Sequence, residues 1–243
     1  MTELRYLPDA DDVVEFSATV TGVGDDGDSL ILDSTYFYPE GGGQPADRGT
    51  LSWDGGSAEV VDVYKDHGEV RHDIEDLEGS LPAVGDEVEG HVDEALRDAH
   101  RRMHTAQHVL SRVVLDEYGA GTAGNQIHAD RSRIDFEPAD FDEGDLARIE
   151  RLANEAIEED YTVVKEERPR PEVEAETDEG RSLLHLIPDH VDPLRVVEIE
   201  GYDLCPCGGT HVDRLGEIGR IEITDRTSKG KDTERIEFVL AEG

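Results

Sequence analysis

The sequence predicts an α+β fold: a small N-terminal β-barrel over 1–92, then a mixed α+β domain over 93–243 with helices on one face of an antiparallel sheet. Three observations carry this. Residues 13–92 break into short alternating or β-branched segments divided by Gly/Asp turns such as GDDGD and WDGG. A long helical pattern follows at 93–118. Beyond it, helical and strand patterns mix without any internal repeat.

In order, VVEFSATVTGV, SLILD, TYFYP, SAEVVDVY, EVRHDI and DEVEGHV read as the barrel strands. Asp93 then caps a helix to Tyr118, with Glu94 in its first turn. Leu96, Ala99, Met103, Ala106, Leu110 and Val113 recur every three or four residues as its core stripe, and Gly119 and Gly121 end it. Residues 122–136 read as a turn with one or two strands. A second helix spans Phe141–Asp160, and Tyr161–Glu166 is a strand. The Pro- and acid-rich stretch 168–193 reads as a loop with a short helical piece near SLLHLI. Leu194–Glu200, Gly219–Thr224 and Arg235–Leu240 are three further strands.

Charge is the oddest feature. Asp and Glu number 60 against 23 Lys and Arg, a formal −37, and the only lysines are Lys65, Lys165, Lys229 and Lys231. The acids are spread along every segment, and the apolar periodicity argues against an acidic disordered chain. An acidic surface suited to a high-salt (halophilic) cytoplasm accounts for this, since at about 1 M salt the Debye length falls to roughly 3 Å. No apolar run reaches the roughly 18–20 residues of a membrane span, and the N-terminus lacks a signal-peptide pattern. Cys205 and Cys207, the only cysteines, are poor disulfide partners at this spacing and fit a reducing, cytoplasmic setting.

Two ligand pairs stand out. His104 and His108 in HTAQH are four apart on the helix, so their imidazoles share a side, away from the aliphatic stripe at about 100° per residue. Cys207 and His211 in CGGTH repeat the spacing in a Gly-rich turn after a strand. Three imidazoles and a thiolate suit tetrahedral zinc. Each pair alone also reads as solvated or packed residues with no ion. His100, one turn earlier, is a rival ligand, and Cys207 is preferred to Cys205 because it repeats the three-residue gap.

Two further stretches are unusual. Gly41, Gly42, Gly43 and Gln44 lie in FYPEGGGQPADRG, which reads either as a flexible loop or as backbone that must approach a ligand or another domain. Basic residues cluster at Arg97, Arg101, Arg102 and Arg112 around a single acid, Asp98, and again at Arg226, Lys229 and Lys231. In so acidic a chain, both inversions point to an anionic partner, with a plain hairpin turn as the alternative for the second.

HTAQH and CGGTH, with FYPEGGGQPADRG, SRIDF and EIGRIEITDRTSKGKDTERIEF, occur in one order from about Glu15 to Leu240. Together they resemble the editing domain of alanyl-tRNA synthetase and its free-standing relatives, the AlaX editing proteins. The Gly-rich segment and leading barrel resemble the longer AlaX class. The resemblance implies an aminoacyl-tRNA deacylase acting in trans on the acceptor end of tRNA(Ala) charged with serine, or with glycine. It also implies Zn2+ held by His104, His108, Cys207 and His211. The paired motifs are similar in the threonyl synthetase's editing domain, so Ser-tRNA(Thr) is an alternative substrate, and a non-catalytic zinc-stabilised RNA-binding module is another reading. Thr105, Asn125 and Gln126 are candidates to contact a substrate hydroxyl, and Arg226, Lys229 and Lys231 to contact tRNA. Cys205-Pro206 departs from the pattern by leaving a spare thiol beside the motif.

Overall fold

A computed structural model describes the chain except residues 179–180, 182–183, 185–186 and 242–243. It folds as two compact units, Met1–Asp98 and Ala99–Gly243. The sequence places the junction at 92/93, ahead of the helix; the compact units divide one turn inside it. The reason is Arg97, whose buried guanidinium bonds Asp47 and the carbonyls of Asp11 and Tyr36, all in the first unit.

The first unit is the expected barrel. Its strands are β1 (Glu3–Leu4), β2 (Glu15–Val23), β3 (Ser29–Leu32), β4 (Ser34–Thr35), β5 (Gly49–Trp53), β6 (Gly56–Asp66), β7 (Glu69–Gly79) and β8 (Glu87–Val92). Six of them close in the order β2-β3-β7-β6-β5-β8, and β1 pairs in parallel with β4. Alternation explains the closure: β8 buries Val88, Gly90 and Val92 and exposes Glu87, Glu89 and His91. Two assignments shift. TYFYP is extended only at its start, because Phe37 and Tyr38 turn inward and are buried. The sixth barrel strand is instead β5, where a Cβ at Gly49 would collide with the His91 carbonyl of β8.

The second unit holds α1 (Glu94–Tyr118), β9 (Gly121–Gln126), β10 (Ser132–Glu137), α2 (Glu143–Glu158), β11 (Val163–Arg168), α3 (Arg170–Glu176), β12 (Leu194–Ile199), β13 (Asp203–Pro206), β14 (Arg220–Ser228) and β15 (Glu234–Ala241). Asp93 caps α1 by accepting from the Leu96 N–H at 3.0 Å. Asp142 and Asp145 form a reciprocal capping box on α2. The strands make two antiparallel sheets where one was expected, β14-β15-β10-β9 and β11-β12-β13. The added strand β13 runs directly into CGGTH. Helix α3 begins at Arg170, after Pro169, ahead of the expected helical piece near SLLHLI; most of that piece lies outside the described residues.

One core joins α1 and α2 to the sheets through Met103, Leu110, Phe136, Phe141, Ile149 and Phe238. Helix α2 also covers the free edge of β14. Asn154 donates to the Ile221 carbonyl and accepts its N–H, both at 2.9 Å, as a neighbouring strand would.

Candidate metal centre

Helix α1 carries His100, His104, Gln107, His108 and Ser111 on one side, off the aliphatic stripe. That side is not solvated. The five residues are only 2–3% exposed. The histidines are therefore polar groups sealed inside the second unit.

The turn after β13 brings the second pair onto the first. Ligand atoms of His104, His108, Cys207 and His211 all lie within 4.8 Å of one another, a set that could hold a metal ion. Cys207 Sγ is 3.6 Å from His104 Nε2 and 3.3 Å from His211 Nε2. Ring centroids of His104 and His211 are 4.3 Å apart, and those of His108 and His211 4.6 Å. Cys207 is the one member that is not fully buried.

The electrostatics suit a donor set. Burial lowers His108 to about 4, against a smaller opposing effect of Cys207. Burial, with the neighbouring His104 and His108, holds His211 well below the ordinary imidazole value. Both rings are therefore neutral at pH 7, with lone pairs to offer. Burial alone would raise the Cys207 thiol. The hydrogen bond of His108, the Arg195 guanidinium and the Gly209 N–H oppose it, and the thiol lies below its ordinary value. Arg195 also ties the turn by donating to the carbonyls of Cys207 and Gly209, at 2.8 and 2.7 Å.

Cys205 stands apart from the cluster. It is buried, and burial pushes its thiol up to about 12. His100 is also outside the four.

The candidate pocket residues separate. Thr105 is 0% exposed and packed against His211: its hydroxyl lies 2.8 Å from the Arg101 carbonyl, 3.1 Å from His211 Nδ1 and 3.2 Å from the Val212 N–H. Asn125, half-buried on β9, donates to Gln107 Oε1 at 3.3 Å. Gln107 donates to Ser111 Oγ at 2.7 Å, and Thr122 Oγ1 is 2.8 Å from the same oxygen. A polar chain thus runs from the buried ligand-bearing side of α1 to the half-buried face of β9. Gln126 instead accepts from Arg133 at 2.9 Å.

Sequence reading passed over Gln107, Ser111 and Thr122. Helical phase does put Gln107 and Ser111 beside the histidines, so part of that signal was available. Arg181 and Asp203 were missed for want of any local signal. Asp203 is a fully buried carboxylate whose two oxygens take Arg181, and its Oδ2 lies 3.9 Å from His108 Nδ1.

The arginines of α1 are engaged within the chain. Arg97 is spent on Asp47, Arg101 on the His211 carbonyl at 2.8 Å, Arg102 on the Ile218 carbonyl and Arg112 on Asp116 and Asp178. These cations compensate acids and carbonyl groups within the chain. In the C-terminal hairpin Arg226 is paired with Glu234 at 2.6 Å, while Lys229 and Lys231 lie exposed in the connection between β14 and β15.

In the first unit the triple glycine is a tight turn. Gly41 and Gln44 exchange backbone hydrogen bonds at 3.1 and 2.9 Å, and Gly42 and Gly43 have φ of 57° and 85°. Both central residues are left-handed, as in a type I′ turn, which glycine satisfies without strain. Nothing approaches the Cβ position of Gly42, so backbone conformation, and not close contact, requires glycine there.

Residues 10–96 match the profile of class II tRNA synthetases (A), and residues 194–237 that of the threonyl and alanyl tRNA synthetase second additional domain. The chain is 40% identical to the alanyl-tRNA editing protein AlaX-M of Methanosarcina acetivorans over 99% of both chains. The AlaX-M protein of Methanosarcina barkeri is also 40% identical, over 100% of both. The chain belongs to the AlaX-M family of alanyl-tRNA editing proteins. It is also 42% identical to the alanine–tRNA ligase of Methanopyrus kandleri, over 99% of this chain but 26% of the ligase. An AlaX-M chain thus corresponds to about a quarter of that enzyme. No helix among the described residues is long and apolar enough to cross a membrane.

Proposed function

We propose that the chain is a trans-editing hydrolase that cleaves the ester of Ser-tRNA(Ala), with Gly-tRNA(Ala) as a second substrate, using zinc held by His104, His108, Cys207 and His211. The coarser reading, an alanyl-tRNA editing deacylase, follows from membership of its family.

The observation that carries the proposal is the convergence of three imidazoles and one thiol from α1 and the turn after β13. Donors bound at 2.0–2.3 Å to one tetrahedral ion lie about 3.3–3.6 Å apart. The Cys207 separations of 3.6 and 3.3 Å fit that spacing. Neutral imidazoles and an acidified thiol are the protonation states such a site needs. When bound, zinc supplies Lewis-acid polarisation of an ester carbonyl or lowers the pKa of a water to about 7.

The remaining work belongs to side chains. The buried side of α1 keeps bulk water from the donors. Selectivity for a hydroxylated amino acid requires a polar wall, because a site that hydrogen-bonds a hydroxyl can discriminate by up to ~10⁴-fold. The chain of Asn125, Gln107, Ser111 and Thr122 offers such a wall. Asn125 is the predicted pocket residue that belongs to it. Thr105 already meets three partners, and Gln126 is held by Arg133. For tRNA, the exposed Lys229 and Lys231 are proposed to meet acceptor-end phosphates, with Arg226 steadied by Glu234. Phosphate contacts weaken steeply with salt, so in a halophilic cytoplasm shape and hydrogen bonds carry more of the recognition.

The test is deacylation of Ser-tRNA(Ala), Ala-tRNA(Ala) and Ser-tRNA(Thr) at high salt by wild type and His104→Ala. Serine released from tRNA(Ala) well above alanine, and lost in the variant, supports the reading. Equal serine and alanine rates, an unaffected variant, or faster release from tRNA(Thr) overturns it.

A further inference from the structure

The geometry points to Thr105 as a positioning residue that holds His211 in the tautomer able to bind the ion. This rests on the zinc reading above.

A hydroxyl has one donor and two lone pairs. The Arg101 carbonyl can only accept, and at 2.8 Å it takes the Thr105 O–H, the usual back-bond of threonine to the preceding helical turn. The Val212 N–H can only donate, and at 3.2 Å it occupies one lone pair. The second lone pair is left for His211 Nδ1 at 3.1 Å, so that nitrogen must carry its proton. Nε2 is then bare, and it is the atom 3.3 Å from Cys207 Sγ. Thr105, Arg101, His211 and Val212 are all buried, so water does not compete for the Nδ1 side of the ring. The same helical turn grips the backbone as well: Arg101 Nε donates to the His211 carbonyl at 2.8 Å.

Helix α1 therefore contributes two ligands and orients a third, which fixes the imidazole before an ion arrives. Partners of this kind usually affect metal affinity by roughly 10–100-fold.

The full-length chain is loaded with Zn2+ and titrated against a chromophoric chelator, as wild type, Thr105→Val and Thr105→Ser. Thr105→Val, close in shape but without the hydroxyl, is expected to bind Zn2+ about 10–100-fold more weakly. Thr105→Ser, which restores the hydroxyl, is expected to bind within a few-fold of wild type. Nitrogen-15 ring spectra of the zinc-loaded wild type should show His211 protonated at Nδ1 and coordinated through Nε2. That spectrum needs no variant, so it decides the matter even if Thr105→Val fails to fold. Wild-type affinity in a folded Thr105→Val, or coordination of His211 through Nδ1, overturns the assignment. Failure of the wild type itself to bind Zn2+ overturns the zinc reading and this assignment with it.

Discussion

Asp203 Oδ2 lies 3.9 Å from His108 Nδ1, and Arg181 engages both oxygens of that carboxylate. Both members of the ion pair are at most 3% exposed in their side chains. Removing one partner leaves a buried charge with no counter-ion. Asp203→Ala should therefore lower stability by about 3–5 kcal/mol. Combining Asp203→Leu with Arg181→Met should recover much of that loss. Urea denaturation at constant high salt, with unchanged m-values, checks both.

Chelation should separate chemistry from folding. The core around Phe136, Phe141, Leu110 and Phe238 is assembled from apolar side chains, and Cys207 packs against it as a partly buried neighbour. Removing the metal is expected to stop deacylation while far-UV circular dichroism stays close to native. Zn2+ at 1,000 times its Kd should add about 4 kcal/mol to stability. A chain that unfolds on chelation would be using the ion structurally.

In the barrel, His72 is fully buried between Thr35 Oγ1 at 2.9 Å and the Leu30 carbonyl at 3.1 Å. Burial, opposed by the Leu30 bond, lowers it from 6.5 to about 4. The unfolded chain takes up this proton near pH 6.5, whereas the folded chain resists until about pH 4. Stability is therefore full above pH 6.5, falls as pH drops toward 4 by about 3 kcal/mol from this residue, and loses nothing further below. Stability curves of wild type and His72→Gln should differ in slope within that window. Parallel curves would assign the acid sensitivity to other groups.

The net charge of −37 predicts salt-dependent stability. Raising KCl from about 0.1 to 2 M shortens the Debye length several-fold and should raise the thermal midpoint by roughly 5–10 °C. Scanning calorimetry at matched pH measures this. A midpoint that stays constant or falls would remove the high-salt explanation of the composition.

Local periodicities and their order are legible in the amino-acid sequence. Alternation over 13–92 marks a barrel, the stripe from Leu96 to Val113 marks α1, and the ligand pairs and co-linear motifs mark the family. These signals are local because side-chain period follows backbone type. The sequence also displays the triple glycine, whose φ of 57° and 85° at Gly42 and Gly43 only the backbone geometry could reveal.

What lies opposite each face depends on how distant segments pack. His104 and His108 point away from the aliphatic stripe, as helical phase requires, yet they are buried, because the turn after β13 closes over them. Arg101 looks like an exposed cation in a row of residues and becomes a clamp on the His211 carbonyl. Thr105 looks like a free hydroxyl and is enclosed by three partners. The physical reason is common to all three. A residue's phase on its helix fixes its direction, but the desolvation and hydrogen bonds it meets come from segments about a hundred residues away, which no local pattern encodes.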